Sequence, residues 1–410
     1  MNPFPRRRVV VTGCGIVTPL GLGWAENAEG FRQGRACFAP VSLFDVSRQR
    51  CRLAAEVPSR RLDEAVSASR VRAKRGQRWD RATKLWLAAA EEAWRQSGNA
   101  SGQGVASYVG TTSGGMALGE ALLRQAGISR QPRQGQPSQV YHYLAYQPVV
   151  EVARLWGWTG PVRVAANACA SGASAVAHAW RDLSCGRRSV VIAGGFDALA
   201  HLVFAGFDSL QALSLTGCRP FAANRDGLLL GEGAAALVLE TLEFDKERGA
   251  PIFGEIAGVA TATDLHHLTQ PDPGGNAATR CLVEACRVAG WDASEVDYLN
   301  AHGTGTVLND ASESAAITSW AGVGAGKLAV SSIKGSIGHT LGAAGAIEAV
   351  ACFMAMDGHW LPPQVDAGAL DPCVTFDVVR SPRSRIAQRM LSNSFGFGGA
   401  NACLALRRWA

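Results

Sequence analysis

Residues 162–193 read VRVAANACASGASAVAHAWRDLSCGRRSVVIA. Val162 and Val164 predict a strand over 162–166, the small residues from Cys169 to Leu183 predict a helix, and the β-branched run from Ser189 to Ala193 predicts a second strand. Strand, helix and strand in that order are the building unit of an α/β sheet. Cys169 falls at the first junction, where its sulfur would face the positive end of the helix dipole and unpaired backbone N–H groups. That position favours thiolate, whereas an unperturbed thiol with a pKa near 8.5 is only about 3% ionised at pH 7. Ala168, Ala170, Ser171 and Gly172 leave room beside the sulfur for another backbone or a ligand. The other ten of the 11 cysteines are scattered without a Cys-x-x-Cys pair, so neither a disulfide framework nor a zinc finger is expected and a reducing cytoplasm fits.

The same grammar extends outward in both directions. Val9 to Gly13 and Gly104 to Thr112 read as buried strands, and Asp80 to Gln96 as a helix that stops at Gly98. Beyond a polar connection at 243–251, Val296 to Ala301 is a strand ending at His302, Asp310 to Trp320 a helix, and Leu328 to Ile333 a strand ending at Lys334. Gly342 to Met356 is a further helix, and Leu391 to Ser394 a last strand running into Gly396-Phe397-Gly398-Gly399. The division is therefore 1–250, carrying the cysteine, and 251–410, carrying two glycine-flanked histidines, His302 and His339. No flexible linker separates them, so the two halves should pack as one body.

Loops at the carboxyl ends of parallel strands converge on one crevice, where Cys169, His302 and His339 could meet. One histidine beside a cysteine suits a hydrolase or acyltransferase. Two neutral imidazoles can donate to a single oxygen, which suits an enolate forming on a thioester carbonyl. A zinc site is conceivable by ligand type, but none of the usual local spacings is present, so no metal is expected. Gly13-Cys14-Gly15 imitates a dinucleotide fingerprint but lacks the third glycine and is assigned to structure.

Composition narrows the classes. The 410 residues allow two or three domains, and 47% hydrophobic against 18% charged residues exclude general disorder. A net charge of +6 is mild and far from that of a dedicated nucleic-acid binder. The excess is local: Arg70, Arg72, Lys74 and Arg75, with Arg78 and Arg81 close behind, form either a solvated helix face or a docking patch for an acidic partner. The apolar stretch Gly342 to Met356 is short for a membrane span and carries Glu348. The three arginines before Val9 imitate a signal peptide, but Thr12, Thr18 and Pro19 break the apolar region.

Cys169 in its small-residue turn, His302-Gly303-Thr304-Gly305-Thr306, Lys334 with Gly338-His339 and Leu341-Gly342-Ala343-Ala344-Gly345, and Asn393-Ser394-Phe395-Gly396-Phe397-Gly398-Gly399 together resemble the β-ketoacyl-acyl-carrier-protein synthases. The resemblance is to the elongating type II condensing enzymes of fatty-acid, polyketide and polyene pathways, and it runs from Val9 almost to the C-terminus. It implies a thiolase fold of two similar α/β halves in a five-layered α-β-α-β-α arrangement, normally a dimer. It implies that Cys169 accepts an acyl group from a carrier-protein phosphopantetheine thioester, with the backbone N–H groups of Cys169 and Phe397 as oxyanion hole. A malonyl thioester would then lose carbon dioxide beside His302 and His339.

By the same resemblance Lys334 supports the histidines electrostatically, Asp310 and Glu313 are the acidic pair after the first histidine, and Glu348 is a carboxylate near the site, sometimes beside a monovalent cation. Thr304 and Thr306 match threonines that hydrogen-bond pantetheine, Phe397 a gating aromatic, and Phe207 its neighbour in the acyl tunnel. No cofactor is implied beyond the phosphopantetheine that the substrates carry. The partners implied are an acyl carrier protein, docked by charge on the Arg70 to Arg81 cluster, and either a second copy or a chain-length-factor-like subunit. Three departures stand out. Asn167 replaces the usual threonine; Ser113 replaces a bulky residue, predicting a roomier acyl pocket; Gln211 replaces a frequent basic residue beside a shortened loop at 214–221. The rival readings are a non-catalytic partner subunit, which would lack the nucleophile, and a thioester hydrolase or acyltransferase that does not condense.

Overall fold

The computed structural model describes residues 6–69, 79–99, 101–129 and 141–409. Eleven of its strands are β1 (Val9–Thr18), β2 (Ala106–Gly110), β3 (Val162–Ala165), β4 (Val190–Asp197), β5 (Gly233–Thr241), β6 (Gly254–Thr263), β7 (Tyr298–Asn300), β8 (Ala329–Ser331), β9 (Asp377–Val378), β10 (Arg389–Gly396) and β11 (Ala400–Arg408). They hydrogen-bond in the order β9-β8-β7-β10-β11-β6-β1-β5-β4-β2-β3.

That order contains one pattern twice. From β1 the chain pairs antiparallel through β5 to β4, then parallel through β2 to β3. From β6 it pairs antiparallel through β11 to β10, then parallel through β7 and β8 to β9. The halves join where β1 meets β6 antiparallel, with Val9 opposite Ile256 and Val11 opposite Gly254.

Helices supply the remaining layers: α1 (Arg81–Gln96), α2 (Met116–Ser129), α3 (Ser171–Ser184), α4 (His201–Ser209), α5 (Asn276–Ala289), α6 (Val307–Ala321) and α7 (Ala344–Gly358). Helix α1 covers the outer face of the first half, burying Leu85, Trp86 and Ala89 against Ala236 and Val238. Helices α5 and α6 cover the second, burying Leu282 and Ile317 against Leu299 and Val330. Between the two half-sheets, α3 and α7 share a central core in which Ala173, Val176 and Ala177 meet Ala346, Ile347 and Val350. The result is the expected five-layered α-β-α-β-α body. The small residues of α3 explain how two helices fit between two sheets: alanine and glycine let the axes approach where larger side chains would hold them apart.

Two local expectations are corrected. The polar segment at 243–251 is not a plain connection, because Leu242–Arg248 forms a helix whose N-terminus is capped by the Thr241 hydroxyl, which accepts from Phe244 N–H at 3.4 Å. The apolar segment Leu341–Gly358 is long and apolar enough to cross a membrane, but 89% of it is buried inside the protein, so burial and not shortness marks it as a core helix.

Candidate active site

The first half delivers the nucleophile through a strained turn. After β3 the backbone enters the left-handed region at Ala168, with φ of 53°, and Cys169 occupies a 3-10 turn ahead of α3. A non-glycine residue held there costs about 1–3 kcal/mol and persists only where its surroundings fix it. Ser171 fixes it locally: its hydroxyl accepts from Asn167 N–H at 3.0 Å and donates to the Ala168 carbonyl at 2.5 Å. The end of β10 lies against the same turn, and only glycine fits at 396, since a Cβ there would stand 2.9 Å from the Asn167 carbonyl oxygen.

The second half delivers the two imidazoles. His302 follows β7 in a loop clamped by two buried carboxylates of α6. Glu313 accepts from the N–H groups of His302 at 2.8 Å and Gly303 at 2.7 Å, and Asp310 from those of Thr304 at 3.0 Å and Phe221 at 2.8 Å. These acids are therefore loop-holding groups, not solvated helix charges. His339 is bridged by its backbone to Leu229 and Gly231, and its Nδ1 accepts from Leu341 N–H at 3.2 Å. An accepting Nδ1 places the proton on Nε2, so His339 presents an N–H donor.

These elements converge. The His302 and His339 rings meet edge to face with centroids 5.3 Å apart, and His302 also packs on Phe395 at 5.3 Å. A cavity of about 340 Å³ is lined by Cys169, both histidines, Thr304, Thr306 and Phe397. The hydroxyls of Thr304 and Thr306 lie 2.9 Å apart on its wall. On its wall Phe397 stacks on Phe207, with centroids 5.7 Å apart and planes at 23°.

Burial sets the protonation states. Desolvation, reinforced by the Lys334 ammonium, holds both imidazoles well below the usual histidine value and keeps them neutral. Lys334 itself is buried in an ion pair with Glu348. Glu313 is pushed up to about 7 by burial, against the pull of the backbone N–H groups it accepts. The expected resting thiolate is corrected: desolvation pushes the Cys169 thiol up to about 12, with Lys334 pulling the other way. The dipole argument fails because Cys169 precedes the first turn of α3 and is shut away from water, and loss of hydration outweighs a partial charge.

Two family models match nearly the whole chain: the N-terminal domain of beta-ketoacyl synthase over residues 6–245 and its C-terminal domain over 253–367. The chain belongs to the β-ketoacyl synthase family. It is 37% identical over 426 residues to the 3-oxoacyl-[acyl-carrier-protein] synthase 2 of Synechocystis, covering 100% of both chains. Among solved structures it is similar to the ishigamide ketosynthase/chain length factor, with a TM-score of 0.92 at 32% identity over 99% of this chain and 100% of that one. A type II PKS acyl-carrier protein in complex with its ketosynthase bound to the hexaketide matches with a TM-score of 0.89 at 27% identity, covering 98% and 100%.

Ser113 does not line this cavity, and its N–H and hydroxyl both donate to the buried Asp197, at 2.8 and 2.6 Å. Arg70, Arg72, Lys74 and Arg75 lie outside the described residues. Arg81, from the same cluster, is spent internally on the buried Glu232.

Sequence reasoning missed three groups. Asp197 also accepts from the Thr111 hydroxyl at 2.8 Å and from the N–H groups of Thr112 at 2.9 Å and Gly342 at 2.6 Å, tying the loop after β2 to the loop after His339. Arg225 lies 3.7 Å from Asp310 and 2.6 Å from Asp371, behind the threonine loop. Asp208 accepts from the N–H groups of Arg50 at 2.9 Å and Cys51 at 3.2 Å, anchoring the helix that carries Phe207. The one signal available was an acid closing an apolar strand, as Asp197 closes β4.

Proposed function

We propose that this chain is a condensing 3-oxoacyl-acyl-carrier-protein synthase that elongates an acyl chain by decarboxylative Claisen condensation with a malonyl thioester. The observation that carries this reading is the pair of neutral imidazoles meeting edge to face in the cavity that also holds the buried thiol. Acyl transfer or hydrolysis needs one base. Two neutral N–H donors suit an oxygen on which negative charge develops.

In the first stage the Cys169 sulfur attacks the acyl thioester carbonyl, the C–S bond to pantetheine breaks, and the departing sulfur takes the proton that Cys169 loses. In the second, the malonyl C–C bond breaks, carbon dioxide leaves, and the electron pair moves into the thioester as an enolate whose oxygen accepts hydrogen bonds from the imidazoles. The enolate carbon attacks acyl-Cys169, the C–S bond breaks, and the sulfur is reprotonated from solvent. A thiol held near 12 takes that proton readily. Among the described residues His302 Nδ1 is buried without a hydrogen-bond partner, leaving that ring's tautomer to be set by what binds.

The arm that brings each substrate is the phosphopantetheine of an acyl carrier protein, and the chain acts as a homodimer or with a chain-length-factor-like partner in the cytoplasm. The scheme uses no cofactor of the protein's own. The Lys334 ammonium faces Glu348, the carboxylate near which a structural monovalent cation would sit. The preference for a polyketide or polyene pathway rests on the small Ser113 and on the short loop at 214–221.

Mass spectrometry after incubation with acyl- and malonyl-carrier-protein tests the reading. Expected are acyl-Cys169 and a β-ketoacyl product two carbons longer. Acyl transfer without elongation would support the transferase reading, and no acylation would support the partner-subunit reading.

A further inference from the structure

The hydroxyls of Thr304 and Thr306 stand where α6 begins, and that helix start lacks the usual restraint. Thr306 is its N-cap residue, a position at which a threonine hydroxyl ordinarily accepts from an N–H of the first turn. Here the hydroxyl makes no such bond and lies against that of Thr304 on the cavity wall. The loop is thus left without a side-chain cap at the point where it borders the cavity.

Arg225 restrains it from behind. Its Nε donates to the Thr306 carbonyl at 3.4 Å and its Nη2 to the Val307 carbonyl at 3.0 Å. Its Nη1 donates to the Ala222 carbonyl at 2.9 Å and to Asp371 Oδ2 at 2.6 Å. Asp371 is fixed in turn, because its Oδ1 accepts from Cys373 N–H at 2.9 Å and its own N–H donates to the Phe221 carbonyl at 2.9 Å. A buried cation beside a helix N-terminus opposes the helix dipole. Asp371 and Asp310, the latter 3.7 Å away, offset that charge, and the planar guanidinium reaches two neighbouring carbonyls at once. The Arg225 side chain does not line the cavity, so it acts on anything bound there only through the loop.

We propose that Arg225, locked by Asp371, is a positioning residue that holds the Thr304 and Thr306 hydroxyls toward the amides of the pantetheine arm. The inference rests on the condensing reading above, which brings that arm into this cavity. Arg225 belongs to the first half of the chain, and Asp371 and both threonines to the second. The wall that receives the arm is therefore assembled across the two halves.

The test compares acylation of Cys169 by two carrier-free donors, an acyl-pantetheine and the acyl thioester of ethanethiol, which has no amide. In Arg225→Met the ratio of their second-order rate constants, pantetheine over ethanethiol, should fall about tenfold or more, because only the pantetheine donor can use the threonines. The double variant Thr304→Val, Thr306→Val should lower the ratio as well. Adding Arg225→Met to it should lower the ratio by less than about a further threefold, since residues that act through one contact do not add. Asp371→Asn keeps the shape of the lock without its charge and should lower the ratio about threefold or more, which keeps the test open if Arg225→Met does not fold. A smaller fall in either variant, an equal loss with both donors, an unmoved ratio in the threonine variant, or full additivity with it overturns the proposal. Failure of malonyl-carrier-protein to elongate the acyl group on Cys169 of the unaltered protein would instead overturn the condensing reading.

Discussion

Lys334 Nζ contacts Glu348 Oε1 where both side chains are 2% exposed, so one ion pair stands inside the catalytic core, its ammonium adding to the desolvation that keeps both histidines neutral. Removing one member strands a buried charge and should cost about 3–5 kcal/mol, whereas replacing both by apolar groups of similar size should cost far less. Denaturant unfolding of Lys334→Met, Glu348→Leu and the double variant measures this. A double variant as unstable as the sum of the singles would refute the coupling.

Alkylation of Cys169 reports its protonation. With the thiol near 12, iodoacetamide modification of the Cys169 peptide should rise about tenfold per pH unit from pH 7 to pH 10. A plateau below pH 8 would show that the resting group is a thiolate.

The two imidazoles make stability fall in acid. Their folded values are depressed, so below the unfolded value of 6.5 the unfolded chain takes up protons that the folded chain refuses. Each contributes a loss of up to about 1.4 kcal/mol per pH unit below that point. Unfolding free energies at pH 7.0 and 5.5 should therefore diverge less for the double variant His302→Asn, His339→Asn than for the unaltered protein. Equal divergence would mean that the rings are not held neutral.

Asp197 acts at a distance through Gly342, next to the Leu341 N–H that fixes the His339 tautomer. Replacing Asp197 by alanine orphans several buried donors and should cost about 3 kcal/mol or more. Condensation should fall further than Cys169 acylation, because only the second stage depends on His339. Single-turnover assays separate the two, and an equal loss in both would reduce Asp197 to a structural role.

Much of this site could be read before any fold was known, since Cys169 and His302 follow strand-like runs and His339 comes a few residues after another, each among small residues. Chemistry placed at strand ends leaves a local trace in a sequence. The parts that escaped are those made by distant chain segments. Asp197 and Gly342 are 145 positions apart, and nothing near Ser113 shows that its hydroxyl is bonded to a distant acid. The protonation of Cys169 escaped for a related reason: the helix dipole is written locally, whereas burial depends on what packs over the sulfur from the other half.

The antiparallel seam where Val9, Val10 and Val11 meet Ile256, Glu255 and Gly254 has a consequence for how such a protein can be divided. Cleaving the backbone near residue 250 would give one piece with a sulfur but no imidazole pair and another with the rings but no sulfur, each with an unzipped strand edge. Turnover by mixed fragments would thus be a direct assay of whether that seam re-forms without a covalent tether.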